Sequence, residues 1–429
     1  MNRGMVFIVI ASIFVLMSLL TYTKVLYGLS KWREHTPVGN RNRLDHRYTE
    51  SVQKESLTGH VRDVGRRKKI RHRYGALNVS SLSFNSPEKT GKAHEVGLKI
   101  MVLARMRTGS TLLGEIFNQN PNLFYLFEPL HATDAMVQMR MIESRKMKAS
   151  MATLLRKLTQ CTFPGEFMYD MYNWRIARGK SRTIQDMCEG KFKCTRANPT
   201  LFNTRCRRRH GNMAMKMIRA DLETLKPLIA EDQLNVKILH LVRDPRGTAN
   251  SRKRFYCPRK KIPSNECSLD ILGLLENDSN KFKYNTMHKY CKWLRETVQT
   301  ALERPEWLRG RYKLIRYEDL ALDPLRFTKD IYDYLGLPLH PQVTSWVQAN
   351  TQQNTNKSMK VFNTKKNSTE AAVSWRNSLN FKETQDVQKK CSDMMELLGY
   401  HPIRTKEDLT NNDVSVTSPL DIGLDISFV

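Results

Sequence analysis

A short polar turn stands between an apolar run that ends at Ala104 and a helical pattern that begins near Ser110. The turn combines cations, hydroxyl groups and a glycine: Arg105, Met106, Arg107, Thr108, Gly109, Ser110 and Thr111. The first amides of a helix have no partner inside the helix and lie at the positive end of its dipole. Arg107 would add a fixed cation, and Gly109 would let the backbone approach a ligand closely. The pattern predicts a site for a phosphate or sulfate group.

This turn differs from the phosphate-binding loop of nucleoside triphosphatases. It lacks the G-x-x-x-x-G-K-[ST] spacing, and the sequence offers no obvious carboxylate for Mg²⁺. We therefore expect the anion to be held without a metal ion. Taken alone, the turn is also compatible with Ser110 or Thr111 serving only as a helix cap.

A second apolar run, from Val236 to Val242, ends in a similar way. The residues after it form a second candidate anion site: Arg243, Asp244, Pro245, Arg246, Gly247, Thr248, Ala249, Asn250 and Ser251. Because Arg243 closes the strand and Ser251 lies in the helix that follows, both can reach one phosphate group. Asp244 and Arg246 can instead form a local salt bridge, and the sequence leaves that alternative open.

Strand-like and helical patterns alternate around these two turns. The strand-like runs are Leu98–Leu103, Leu123–Phe127, Val236–Val242 and Tyr312–Arg316, and helical patterns begin at Asp323 and Phe381. This alternation predicts an α/β fold with a parallel sheet, flanking helices and ligands beyond the carboxyl ends of the strands. We expect the domain to span residues 97–403. Two basic insertions, 140–215 and 253–290, would shape a substrate surface, and 404–429 would form a loosely ordered tail.

The composition narrows the class of partner. The chain has 429 residues, of which 71 are Lys or Arg and 42 are Asp or Glu, for a formal charge of +29. The ordinary apolar content excludes a chain that is disordered throughout. A charge of this size suits nucleic acid, an anionic membrane surface or a polyanionic substrate.

The first residues indicate entry into the secretory route. Residues 1–4 are read as a cytosolic tail, 5–23 as a transmembrane signal-anchor, and 24–96 as a flexible luminal stem. A cleaved signal peptide is the alternative. Arg3 precedes the span whereas Lys24, Lys31 and Arg33 follow it, so the positive-inside rule alone would keep the body in the cytosol.

Two features oppose a cytosolic body. Eight cysteines follow the span, an even number that suits disulfides in an oxidising lumen, although buried thiols are the alternative. Four glycosylation sequons, at Asn78, Asn277, Asn356 and Asn367, lie there too. We therefore expect a type II membrane protein with a luminal domain, which makes nucleic acid an unsuitable partner.

The two polar turns together resemble the cofactor-binding elements of sulfotransferases. The segments "RTGST" and "LVRDPRGTANS" resemble most closely those of the Golgi carbohydrate 6-O-sulfotransferases, which act on galactose, N-acetylgalactosamine or N-acetylglucosamine. The segments "FNQNPNLFYLFEP", "ERPEWLRGRYKLIRYEDLALDP" and "KNSTEAAVSWR" extend the resemblance over about residues 97–403. It implies a sulfotransferase-like fold on a Golgi membrane, with the catalytic domain in the lumen.

The resemblance also implies the donor, 3'-phosphoadenosine 5'-phosphosulfate, with no metal. Arg105 to Thr111 would hold the 5'-phosphosulfate, with Arg107 stabilising charge on the leaving group, and Arg243 to Ser251 would bind the 3'-phosphate. Tyr317 would lie near the adenosine, for which an ordinary buried tyrosine is the alternative. Arg376, in the late segment "SWR", would also contact the cofactor.

The general base is expected near the end of a strand. Glu128 is predicted to take the proton of the acceptor hydroxyl, helped by partial burial that raises its pKa toward neutrality, with a structural carboxylate as the alternative. Members of the family often have Glu-Pro-x-aromatic-His. Here His131 occupies the aromatic position and Ala132 the histidine position, so His131 is interpreted as an acceptor-site or packing residue.

The acceptor is expected to be an anionic glycan of keratan or chondroitin type, sulfated on a 6-hydroxyl. Two basic clusters, one at 205–210 and one at 252–261, would contact it, or would form solvated basic faces. A sulfotransferase for another acceptor and a non-catalytic, membrane-anchored glycosaminoglycan-binding protein remain the alternatives.

Overall fold

The computed structural model describes residues 97–188, 194, 198–276, 286–351 and 368–420. The predicted cytosolic tail, signal-anchor and stem therefore lie outside the described residues, as do the asparagines of all four sequons and residues 421–429. Among the described helices, none combines the length and the apolar character needed to cross a bilayer.

A five-stranded parallel sheet organises the described residues. Its strands are β1 (Lys99–Leu103), β2 (Phe124–Phe127), β3 (Met213–Met217), β4 (Val236–Val242) and β5 (Tyr312–Arg316). Their order across the sheet is β2-β3-β1-β4-β5. Parallel strands end at the same edge, so the residues that follow each strand share one edge of the molecule. The predicted α/β fold with a parallel sheet is confirmed.

Helices connect the strands and cover the sheet. They are α1 (Ser110–Asn118), α2 (His131–Gln138), α3 (Met147–Thr159), α4 (Gly165–Asn173), α5 (Arg175–Gly179), α6 (Arg182–Gln185), α7 (Pro199–Arg207), α8 (Leu222–Ala230), α9 (Pro245–Tyr256), α10 (Met287–Leu302), α11 (Tyr317–Leu322), α12 (Pro324–Leu335), α13 (Pro341–Thr351), α14 (Ser368–Val373), α15 (Phe381–Leu397) and α16 (Lys406–Thr410). Short 3₁₀ turns occur at Ser144–Lys146, Pro258–Lys260 and Glu306–Leu308.

Both faces of the sheet are buried. Met101 and Leu103 of β1 pack into one apolar core, whereas Ile100 and Val102 pack into the other. This alternation follows from the twofold side-chain period of a strand.

The prediction that residues 140–215 form an insertion is wrong at its end. Met213–Met217 is strand β3, which lies between β1 and β2 and carries the register Lys99↔Met213 and Phe124↔Met213. Methionine is a modest strand former and Lys216 interrupts the apolar run, which explains why the pattern does not signal a strand.

All eight cysteines pair, as the even count predicts. The disulfides are Cys161–Cys206, Cys188–Cys194, Cys257–Cys267 and Cys291–Cys391. They fasten the helices between β2 and β3, the segment after α9, and α10 to α15.

The expectation of a loosely ordered tail from residue 404 does not hold for 404–420. Thr405 caps α16 in a capping box, Leu409 is buried, and Tyr400 forms a β-bridge with Thr417. Arg376 donates hydrogen bonds to the carbonyl oxygens of Asp408, Leu409, Asn411 and Val414, which ties this segment to the domain.

Candidate anion site and its neighbours

The turn after β1 has the backbone of an anion-binding loop. Arg107 has a φ of 73° and Gly109 a φ of 92°, both in the left-handed region. Gly109 is the N-cap of α1, and no side chain caps this helix. The sequence alternative, in which Ser110 or Thr111 caps α1, is therefore wrong, and the first turn of the helix faces the loop without a side-chain acceptor.

Gly109 also meets a steric requirement. A Cβ atom at this position would lie 2.2 Å from Cδ2 of Tyr317, which begins α11 at the end of β5. The Tyr317 ring is buried, and the Arg243 guanidinium lies 4.3 Å from its centre. Tyr317 thus packs between the loop and Arg243. It lies between the two anion sites predicted from the sequence, 105–111 and 243–251, which we call the two half-sites.

The two half-sites form one site. Nε of Arg107 donates a 3.0 Å hydrogen bond to Oγ of Ser251 in α9. Nη1 of Arg243 donates to the carbonyl oxygen of Arg107 at 3.2 Å, and Nη2 donates to that of Ala371 in α14 at 2.9 Å. The loop, the start of α9 and the late segment around α14 therefore meet at the carboxyl edge of the sheet.

The electrostatics of this site favour an anion. Burial, followed by the positive charges of Arg243 and Arg259, lowers the pKa of Arg107 to about 10. Crowded like charges raise the free energy of the site, and a bound anion relieves that repulsion. Nε of Arg243 is buried and, among the described residues, has no hydrogen-bond partner, so a further acceptor suits it.

The first turn of α9 contains a structural ion pair. Asp244 caps the helix by accepting from the amide of Arg246, and its carboxylate also binds the Arg246 guanidinium, with 2.7 Å between Nη2 and Oδ2. Arg246 is fully buried, lies 4.1 Å above the Trp375 ring and donates to the carbonyl oxygen of His401. The salt bridge considered from the sequence is present, and it leaves these two side chains behind the site.

The remaining predicted residues of α9 line its buried side. They are Pro245, Gly247, Thr248, Ala249 and Asn250. A Cβ atom at Gly247 would lie 3.0 Å from Nε of Arg243, so this glycine makes room for the arginine. Of the side chains predicted in this segment, Arg243 and Ser251 reach the loop.

Arg105 and Met106 act as anchors of the loop. Arg105 donates to the carbonyl oxygen of Ile218 at 3.1 Å and its guanidinium lies 4.5 Å from the Trp293 ring centre. The carbonyl oxygen of Met106 accepts two hydrogen bonds from Arg252, which is fully buried. Sequence analysis assigned Arg252 to a basic surface, and this assignment is wrong because its guanidinium is enclosed between the loop and α10.

The late residues Trp375 and Arg376 support the domain. Arg376 is buried, with every guanidinium nitrogen donating to carbonyl oxygens of residues 408–414. The structure therefore brings Ala371 of this segment to the anion site and directs Arg376 to the C-terminal segment.

Glu318 is a neighbour of the site that the sequence did not single out. Its carboxylate accepts from the amide of Asp244 and from the Tyr400 hydroxyl, and lies 3.9 Å from Nε of Arg243. Burial raises the pKa of Glu318 to about 7, although the charge of Arg243 opposes the shift. It follows Tyr317 in "RYEDL", so its position after a strand was the available signal.

Glu128 lies at the end of β2 in a closed ion network. Oε1 accepts from Nζ of Lys216 at 2.5 Å, and Oε2 accepts from Nη1 of Arg219 at 2.7 Å. Nε of Arg219 also binds Asp134 at 3.2 Å. Lys216 and Arg219 were missed together with β3, because Lys216 belongs to this unpredicted strand and Arg219 to the turn after it.

The pKa expected for Glu128 is wrong in direction. Burial alone would raise this pKa, but the charges of Lys216 and Arg219 outweigh burial and lower it to about 2. The contacts match the alternative of a structural carboxylate. The catalytic role of Glu128 stays a prediction.

His131 begins α2, three residues after Glu128. Its Nδ1 lies 2.9 Å and 3.0 Å from the two carboxylate oxygens of Asp170 in α4. Its ring stacks on Trp174, with 3.9 Å between ring centres and 19° between planes. The side chain is 28% exposed, so it is held firmly but stays accessible.

The two basic clusters lie in different places. Residues 205–210 precede β3, which puts them at the amino edge of the sheet, opposite the loop. In the second cluster, Lys253 is paired with Glu383, whereas Arg259 and Arg254 contribute positive charge at Arg107. Only the second cluster therefore adjoins the anion site.

Within the described ranges, no three His, Cys, Asp or Glu side chains are grouped so that they could hold a metal ion.

Comparison with known proteins identifies the family of the chain. The family model described as "Sulfotransferase domain" matches residues 98–399. Carbohydrate sulfotransferase 3 of Mus musculus is 34% identical over 343 residues, which cover 74% of this chain and 71% of that protein. Carbohydrate sulfotransferase 1 of Danio rerio is 32% identical over 371 residues, which cover 78% of this chain and 83% of that protein.

Among solved structures, mouse sulfotransferase SULT7A1 complexed with PAP aligns with a TM-score of 0.38 and 16% identity, covering 70% of this chain and 84% of that chain. This agreement is too loose to inform the geometry of the site.

Proposed function

Because the chain belongs to the carbohydrate sulfotransferases, we propose that it transfers the sulfuryl group of 3'-phosphoadenosine 5'-phosphosulfate to the 6-hydroxyl of galactose or N-acetylgalactosamine. The acceptor would be a glycosaminoglycan or related glycan of keratan or chondroitin type. The observation that carries the proposal is the junction of the two half-sites, in which Arg107 contacts both Ser251 and Arg243.

The donor fits the charges of the site. The 5'-phosphosulfate would lie on the loop, where the first amides of α1 face it and Arg107 offers a cation. The 3'-phosphate would lie between Arg243 and Ser251. Two anionic groups on one ligand would relieve the mutual repulsion of the arginines, which a single neutral sugar cannot do.

Transfer requires an in-line attack and a stabilised leaving group. The sugar oxygen attacks the sulfur, the bond from sulfur to the phosphate oxygen breaks, and the phosphate carries the electron pair away. Arg107 stabilises the charge on this leaving phosphate, and Ser110, the first residue of α1, orients the sulfuryl oxygens. A base near the ends of β2 and β3 takes the hydroxyl proton.

The proposed site of action is the lumen of the Golgi, on a type II membrane protein. The apolar segment 5–23 supports the membrane anchor, and the four disulfides suit an oxidising compartment. Protease protection of the domain in intact Golgi vesicles, lost on adding detergent, would support this orientation. Digestion without detergent would contradict it.

Transfer assays test the proposed reaction. The purified luminal domain is incubated with the ³⁵S-labelled donor and with chondroitin, desulfated keratan sulfate, N-acetyllactosamine oligomers or heparosan. We expect label on the 6-position of galactose or N-acetylgalactosamine. Label only on N-acetylglucosamine or at another hydroxyl would overturn the proposed acceptor. Donor binding without transfer to any carbohydrate would favour a glycan-binding role.

A further inference from the structure

We infer that His131 takes the proton from the acceptor hydroxyl, with Asp170 and Trp174 as the residues that position it. This inference rests on the sulfuryl transfer proposed above and replaces the expected base, Glu128.

The contacts of His131 occupy one ring nitrogen, Nδ1, and leave the other, Nε2, to accept a proton. Nδ1 lies within 3.0 Å of both oxygens of Asp170, a carboxylate that can only accept when ionised. The proton of a neutral imidazole therefore lies on Nδ1, and the lone pair lies on Nε2. No hydrogen bond from the described part of the chain is made to Nε2. A base oriented by a carboxylate on its other nitrogen is a recurring catalytic arrangement.

The ring is fixed from a second side by Trp174. This residue lies between α4 and α5, and its amide donates to the carbonyl oxygen of Asp170 at 2.7 Å. The Trp174 ring packs on Phe127 of β2 with 5.9 Å between centres. The carboxylate and the stacking ring thus belong to one rigid segment, and they hold the imidazole in a single orientation.

Glu128 lacks the proton affinity that a base requires. Each of its oxygens already accepts from a cation, and Lys216 and Glu128 are both buried. Taking up a proton would leave buried Lys216 without its counter-ion and Arg219 with Asp134 alone, which is costly in a medium of low polarity. Glu128 instead fixes the start of α2, because the amide of His131 donates to its carbonyl oxygen at 3.0 Å.

His131 lies at the same edge of the sheet as the donor site. It follows β2, the loop follows β1, and β3 lies between these strands. The amides of Glu128 and Ala104 bond to the carbonyl oxygens of Lys216 and Met217, which aligns the three strand ends. Lys216 lies close enough to Arg107 for their charges to interact.

The step balances without a further reactant. The hydroxyl oxygen forms a bond to sulfur, its proton moves to Nε2, and the bond between sulfur and the leaving phosphate breaks. Asp170 on α4 is the charged group bound to His131, and the neighbouring ion network consists of Glu128, Asp134, Lys216 and Arg219. The four groups other than Asp170 are bound to one another, so Asp170 is the partner that governs the imidazole.

The test compares four variants with the wild type: His131→Ala, His131→Gly, Asp170→Asn and Glu128→Gln. His288→Ala is the control, because the His288 side chain is exposed on α10. We expect kcat to fall about 100- to 1,000-fold in His131→Ala. The affinity for 3'-phosphoadenosine 5'-phosphate (PAP), the donor without its sulfuryl group, should change less than twofold. Added imidazole should restore part of the activity of His131→Gly. Asp170→Asn should lower kcat without changing KM for the donor, and Glu128→Gln should lower kcat less than His131→Ala does.

Transfer by the wild type together with a kcat of His131→Ala within threefold of it would overturn the inference alone. Loss of PAP binding in His131→Ala, or no response of His131→Gly to imidazole, would also overturn it, because a structural role gives those results. Absence of transfer by the folded wild type to every carbohydrate would overturn the proposed function and, with it, this inference.

Discussion

The strand ends on the two sides of the sheet differ in how their cations are arranged. At the ends of β1 and β4, Arg107 and Arg243 meet, and their repulsion contributes to the lowered pKa of Arg107. At the ends of β2 and β3, Lys216 and Arg219 share Glu128, and Arg219 also binds Asp134. We call the first region the donor side and the second the acceptor side.

This difference separates two tasks. On the donor side, Arg243 has the carboxylate of Glu318 at 3.9 Å, yet the positive charges of Arg243 and Arg259 still contribute to the lowered pKa of Arg107. A ligand with several negative charges would relieve this repulsion. The acceptor side neutralises its own cations through Glu128 and Asp134. Under the proposed function it would receive a sugar hydroxyl without attracting a second phosphate. Removing an arginine from the donor side should therefore cost donor chemistry, whereas removing a cation from the ion network on the acceptor side should cost stability.

Substituting Arg107 should give the largest effect. We expect Arg107→Ala to lower kcat/KM by about 1,000-fold, because the leaving phosphate loses a charged donor in a largely buried site. Arg309→Ala removes an exposed arginine that pairs with Glu306, and its activity should stay within twofold of the wild type. Steady-state transfer assays check both, and a loss below tenfold in Arg107→Ala would contradict the role of the donor side.

Breaking the ion network should destabilise the acceptor side. Lys216→Met should lower the free energy of unfolding by about 3 kcal/mol, because it leaves buried Glu128 with a single cation. Arg295→Ala breaks an exposed pair with Asp393 and should cost less than about 1 kcal/mol. Urea unfolding with disulfides intact measures both, and equal costs would contradict the buried network.

The same network gives a pH signature. Glu128 has a pKa lowered from 4.5 to about 2 in the folded state, so its stabilisation is complete above about pH 4.5 and is lost as pH falls toward 2. The stability difference between the wild type and Glu128→Gln should shrink over this window. A difference that stays constant from pH 6 to 3 would show that Glu128 is not ion-paired.

Gly109 should show a smaller effect on the donor side. Gly109→Ala places a Cβ atom 2.2 Å from the Tyr317 ring at a φ of 92°, which should weaken PAP binding about 30-fold by displacing the loop. Gly165→Ala is the matched control, since a Cβ atom there meets nothing within 4 Å. Calorimetric titration with PAP checks this, and equal affinities for the two variants would contradict the close packing.

Glu318 should give the smallest effect. Its pKa of about 7 means that the carboxylate ionises between pH 6 and 8 and then competes with a phosphate for Arg243. We expect wild-type PAP affinity to fall about threefold over this range relative to Glu318→Gln. Comparing the two proteins cancels the titration of the phosphate itself. Parallel pH dependences would contradict the link between Glu318 and Arg243.

The sequence was most informative where a long apolar run ends in cations. β4 has the predicted bounds, Val236 to Val242, and both arginine-bearing turns meet as expected. These features depend on local pattern and on the rule that parallel strands end at one edge, so no distant contact had to be known.

The acceptor side could not be read in the same way. β3 is short, rich in methionine and interrupted by Lys216, so its pattern does not indicate a central strand. The pKa of Glu128 depends on cations that are remote in sequence, and the pairing of His131 with Asp170 joins residues from two separate helices. Charge networks of this kind arise from tertiary packing and leave no spacing signal.

Titration of the folded sulfotransferase domain with PAP, for the wild type, Arg107→Ala and Arg243→Ala, tests the central claim most directly. We predict saturable binding of one PAP per chain that weakens with added salt, no comparable binding of adenosine, and a loss of at least 30-fold in each variant. Absence of PAP binding by the wild type, or an affinity of both variants equal to that of the wild type, would contradict an arginine site built for the sulfuryl donor.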